Sequence, residues 1–111
     1  MIIVLDVPAG TSRLLEPEDV KRFHVQVVGA SSGQNAQIAR AFEVAKLGRF
    51  ESLEHAHVSV ERVREMARGN VSPEWESAFS GMLEYAARKV WYDAAGGTIQ
   101  AHCELEDNQS G

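Results

Sequence analysis

Residues 72–105, "SPEWESAFSGMLEYAARKVWYDAAGGTIQAHCEL", constrain this chain more than any other stretch. The first half places Trp75, Ala78, Phe79, Met82, Leu83, Ala86 and Val90 at intervals of three and four. That is a wide apolar stripe along one face of a helix over 73–89. Ser72 followed by Pro73 supplies a cap and a first-turn proline. The second half changes period. Ile99, Ala101, Cys103 and Leu105 share one face of an extended segment, and Thr98, Gln100, His102 and Glu104 share the other. Trp91 and Tyr92 open the hairpin, and "DAAGG" turns it. A helix and a hairpin that each bury one face need a shared core, which points to the α+β class.

The rest of the chain reads in the same way. "IIVLD", residues 2–6, is β-branched and is closed by Pro8 and Gly10, as a short strand would be. Pro17 among acidic residues suggests a helical turn. In "RFHVQVVG", Phe23, Val25 and Val27 alternate with His24, Gln26 and Val28, which favours a strand; a helix through 17–28 is the alternative. Ile38, Ala41, Phe42 and Ala45 define a helix over 35–47, with Ser31 and Gln34, or Asn35 alone, as its cap and Gly48 as its stop. Residues 49–58 read as irregular, with a short extended stretch at 56–58. Ser59 caps a helix over 59–68, with Val58 and Val63 spaced as a hydrophobic staple. The expected architecture is a compact single α+β domain over 1–106. It has three main helices and short antiparallel strands, and 107–111 form a flexible tail.

Composition excludes several classes of function. The chain has 111 residues and a net charge of −5, which argues against a surface built to neutralise phosphates. A single cysteine rules out an internal disulfide and suits the cytoplasm. The apolar start is broken by Asp6 and Pro8, too early for a membrane span or a signal peptide.

"HAHVSVERVREMA" and then "PEWESAFSGMLEYAARKVWYDAAGGTIQAHCE" resemble a pattern of small actinobacterial proteins of uncharacterised activity. There, a W..F..ML.YA helix precedes a tryptophan, a turn and an I.AH.E strand; "LLEPEDVKRFHV" resembles the same group. The resemblance implies a lineage and no catalytic residue. Those proteins often carry glycine before the tryptophan, where this chain has Val90. The order helix 59–68, helix 73–89, hairpin 91–105 also resembles a winged helix, in which the second helix would enter a DNA groove. Arg88 and Lys89 are the candidate nucleic-acid contacts, but Glu74, Glu76 and Glu84 on the same helix oppose that role.

No complete catalytic set is present. His55 and His57 are two apart, as metal ligands on a strand can be, and His102 is a third candidate if the hairpin packs beside them. Two imidazoles from one segment make a weak site, so no stoichiometric zinc is expected. Cys103, on the apolar face, reads as a buried hydrophobe, and it lies on the opposite face from His102. Glu51, Glu54, Asp93, Glu104 and Glu106 form no pair by spacing. "GASSGQ" lacks the lysine and spacing of a phosphate-binding loop. No catalytic residue and no cofactor is assigned. The expected function is a small non-enzymatic binding or assembly module that forms a homo-oligomer or meets a protein partner, with no membrane and no nucleic acid. The alternatives are a winged-helix regulator and a small metal-dependent enzyme using these histidines.

Overall fold

A computed structural model describes residues 1–106; the expected tail, 107–111, lies outside the described residues. The order is β1 (Ile2–Asp6), β2 (Thr11–Leu15), β3 (His24–Val28), α1 (Asn35–Val44), β4 (Gly48–Phe50), β5 (Ala56–Ser59), α2 (Val60–Ala67), α3 (Trp75–Arg88), β6 (Tyr92–Asp93), β7 (Thr98–Ala101) and β8 (Cys103–Leu105). The class is α+β, with three helices among the described residues.

The strands form two four-stranded sheets, ordered β2-β1-β3-β8 and β4-β5-β7-β6. The second sheet is antiparallel throughout. The first is mixed: β1 pairs antiparallel with β2 but parallel with β3, and β3 pairs parallel with β8. The expected antiparallel strands are present, and two parallel pairings add to them. β1 lies inside its sheet, with Ile3, Val4 and Leu5 all buried, so its apolar run is continuous rather than alternating. β3 alternates, with Val25 and Val27 fully buried, which settles residues 24–28 as strand. The segment after β2 is a turn rather than a helix, closed by the Asp19 N–H donating to the Glu16 carbonyl at 3.1 Å.

The segment 98–105 belongs to both sheets. β7 pairs with β5 and β6, and β8 then joins β3. His102 sits at the crossing, where its carbonyl accepts the Val25 N–H at 3.0 Å. The alternation expected from the sequence continues across the break: Ile99, Ala101 and Cys103 are buried, and His102 and Glu104 are exposed. One hydrophobic cluster spans both sheets and all three helices.

Helix ends differ in part from expectation. Ser59 caps α2, its side chain accepting the Arg62 N–H at 3.1 Å. Ser72 does not cap α3: its N–H and hydroxyl both bind the Glu18 carboxylate, and the helix begins at Trp75. α1 ends earlier than 47, because Lys46 takes the left-handed conformation (φ 57°). The Leu47 N–H then reaches back to the Phe42 carbonyl at 2.9 Å. Gly48 serves another purpose. Its φ is +142°, and a Cβ there would stand 2.0 Å from the His57 carbonyl oxygen. The close pairing of β4 with β5 therefore requires glycine, and residues 48–50 form a strand where a helix stop and the start of an irregular segment were expected.

The C-terminal part resembles a winged helix in the order of its elements. β5 is followed by α2 and α3, then by a hairpin whose return strand β7 lies between β5 and β6. It departs from that pattern by the added edge strand β4 and by the continuation of β7 into the other sheet.

Candidate functional site

α3 buries Trp75, Phe79, Leu83 and Ala86, and Met82 packs partly buried against the same core. The adjoining face of the helix, with Ala78, Gly81 and Tyr85, forms one wall of a groove of about 810 Å³. Ile99 and Ala101 of β7 form the facing wall, and Val20, Phe23 and Trp91 extend the apolar lining. Lys21, Glu54, Gln100 and His102 provide its polar groups. The volume is in the range of ligand-binding clefts, and so is the combination of an apolar body with a few polar groups.

Two features of the groove stand out physically. Gly81 lies in the middle of α3, yet a Cβ there would meet nothing within 4 Å, so no packing contact demands glycine. A mid-helix glycine costs about 1 kcal/mol relative to alanine. The second feature is the rim. Tyr85 is 50 % exposed and Trp91 46 % exposed, their rings meeting edge to face at 6.2 Å. Arg88 and Lys89, the candidate nucleic-acid contacts, lie over the Tyr85 ring at 6.0 and 5.6 Å from its centroid. With Lys21 they make a basic rim on an acidic protein.

Two basic residues of α2, Arg62 and Arg64, are paired with acids. Arg64 holds the Glu76 carboxylate with both Nε and Nη2, the shortest contact being 2.8 Å, and Arg62 pairs with Glu65 at 3.1 Å. Arg64 keeps the Glu76 carboxyl below its ordinary pKa.

The candidate histidines His55, His57 and His102 do not come together. His55 lies in the turn between β4 and β5, its N–H donating to Ser52. His57 lies opposite Gln100 on β7, and its Nε2 is 3.4 Å from Glu51 rather than near His102. His102 meets a residue that sequence spacing does not suggest. The Val25–Cys103 register places His24 and His102 one residue earlier on neighbouring strands. Their rings stack at 5.4 Å between centroids, inclined by 20°. Both face Glu104: His102 Nε2 is 3.0 Å from Oε2, and His24 Nε2 is 3.8 Å from Oε1. His102 first, and then His24, hold the Glu104 carboxyl below its ordinary pKa.

Cys103 points the other way, into the core, and burial pushes its thiol up to about 12. It is no nucleophile in this setting. The loop before α1 uses its polar groups on itself: the Ser31 N–H donates to Gln34 Oε1 at 2.7 Å, which takes that N–H away from any phosphate.

Searches against protein-family models, curated proteins and solved structures find no match to this chain. Among the described residues, no helix is long and apolar enough to cross a membrane.

Proposed function

We propose that the protein is a small non-enzymatic binding module, and that the groove beside α3 receives an apolar segment of a partner protein flanked by acidic residues. Gly81 is the observation that carries this reading. The helix forgoes about 1 kcal/mol to keep that position bare, without any gain in packing. Stability given up at an exposed concave site is the usual signature of function. The occupant follows from chemistry. Val20, Phe23 and Ile99 suit apolar anchors, Tyr85 and Trp91 are the residue types that dominate interface energetics, and Lys21, Arg88 and Lys89 attract acids. The lone buried thiol suits a reducing compartment, the cytoplasm.

Peptide selection by display against the full chain tests this reading. Selected peptides should carry apolar anchors with flanking Asp or Glu. They should lose binding to Gly81→Trp, which fills the groove from an unobstructed position, and weaken with Lys21→Glu. Peptides that bind Gly81→Trp as well as the parent would reject the groove. A dimer in light scattering that Gly81→Trp dissociates would make a second copy of the chain the occupant instead.

The winged-helix connectivity supports a second reading, a regulator that touches DNA through α3. Against it, Glu76 and Glu84 lie on that helix, and Arg64 is already committed to Glu76.

A further inference from the structure

We propose that His24, His102 and Glu104 form a binding site for one divalent first-row transition-metal ion, with zinc the ion that the ligand set suits. The site arises from the crossing of the two sheets. β3 and β8 run parallel, with Val25 opposite Cys103 and Gln26 opposite Glu104. Val25 and Cys103 point inward, so His24, His102 and Glu104 fall together on the outward face. The hydrogen bond from the Val25 N–H to the His102 carbonyl fixes the two strands at that point.

The distances fit one ion. The donor atoms of the three side chains all lie within 4.8 Å of one another. In a tetrahedral zinc shell, with bonds near 2.0–2.2 Å, neighbouring ligand atoms are about 3.3–3.5 Å apart. His102 Nε2 is 3.0 Å from one oxygen of Glu104 and His24 Nε2 is 3.8 Å from the other, so both imidazoles reach the same carboxylate at close to that spacing. The remaining pair closes by rotation of the His102 ring, whose side chain is 52 % exposed, so the movement displaces no core residue.

Charge favours the same conclusion. One carboxylate brings negative charge and two neutral imidazole nitrogens bring lone pairs, the combination that a divalent transition-metal ion takes. Two nitrogens and one oxygen select transition metals over magnesium and calcium, which take oxygen ligands. Three protein ligands leave a coordination position for water or another donor. His102 also lines the groove, so the ion sits at its rim. The sequence-based expectation of no stoichiometric zinc counted His55 and His57, with His102 joining only if the hairpin folds back, and did not include His24.

The test uses the untagged 111-residue chain and metal alone, so its result does not depend on what occupies the groove. Zinc is titrated in competition with a chromophoric chelator, and cobalt absorption reports ligation. One ion per chain is expected. Loss of outer-shell partners alone weakens metal sites about 10- to 100-fold, so His24→Gln, His102→Gln and Glu104→Gln should each weaken binding about tenfold or more. His57→Gln should leave it unchanged. His102 and Glu104 are exposed, so the metal-free melting temperatures of their variants should match the parent. No saturable uptake, uptake that survives both His102→Gln and Glu104→Gln, or uptake lost in His57→Gln would each overturn the site.

Discussion

The Trp91 N–H donates to the Ala86 carbonyl at 2.8 Å, closing α3 around a left-handed residue, Val90, with φ 65°. This is the hydrogen bond that helices commonly form over a glycine. A left-handed conformation costs a side-chain-bearing residue about 1–2 kcal/mol, and Val90 is 86 % exposed, so little packing offsets that cost. Val90→Gly should therefore stabilise the protein. The gain is about 0.5–1 kcal/mol, after allowing for the greater freedom of glycine in the unfolded chain. A urea midpoint that stays put or falls would show that the helix ends differently.

Phe79 is fully buried, stacks on Trp75 at 4.7 Å, and has the Arg64 guanidinium 5.2 Å from its ring centroid. Phe79→Ala should cost about 3–5 kcal/mol, as deletion of a buried aromatic does. Denaturant unfolding reads this directly, and a midpoint close to the parent's would place the face in solvent.

The apolar stripe of α3 and the alternation of 98–105 were legible because each depends on neighbours a few residues apart. β2 was not: its burial alternates, but in "TSRLL" a serine takes one of the half-buried positions and Leu15 an exposed one, so no two-residue apolar pattern marks it in the sequence. β4 was hidden because its defining residue, Gly48, resembles a helix stop. The helix-helix-hairpin order was legible from element types, but the division of 98–105 between two sheets was not. The histidine cluster was the least accessible feature. His24 and His102 are 78 positions apart, and only the parallel pairing of β3 with β8 brings them together. Alternation assigned each to the outward face, and nothing local indicates that the faces adjoin.

Acid should weaken the fold through Glu76. Arg64 lowers its carboxyl pKa in the folded state. The stability this lends is present above the ordinary carboxylate range and is lost as pH falls through the lowered value. The pair is largely exposed, with side-chain accessibilities of 38 % and 56 %, so solvent screening limits it to about 0.5–1 kcal/mol. Glu76→Gln should lose that amount at neutral pH and show a correspondingly shallower acid dependence. An unchanged acid profile would mean that the pair contributes nothing.

Duplex DNA should bind weakly and without specificity at physiological salt. The net charge is −5, Glu76 and Glu84 lie on the candidate recognition helix, and Arg64 is paired. A fluorescent-duplex titration should show little saturation. Tight binding abolished by reversing the charges of Arg88 and Lys89 would restore the regulator reading.

Cys103 should be silent toward thiol reagents in the native protein. It is 6 % exposed on the inner face of β8, its N–H donates to the Leu53 carbonyl, and burial raises its thiol to about 12. The reactive species is the thiolate, so both access and ionisation oppose labelling at pH 8. Because the folded value lies above the ordinary one, the neutral thiol lends full stability below its usual range. That contribution declines as pH rises toward the folded value. An aromatic disulfide reagent at pH 8 should therefore react slowly with the native chain and rapidly once urea has unfolded it. Equal rates in the two states would place the sulfur at the surface and remove the inward alternation that puts His102 and Glu104 on the opposite face.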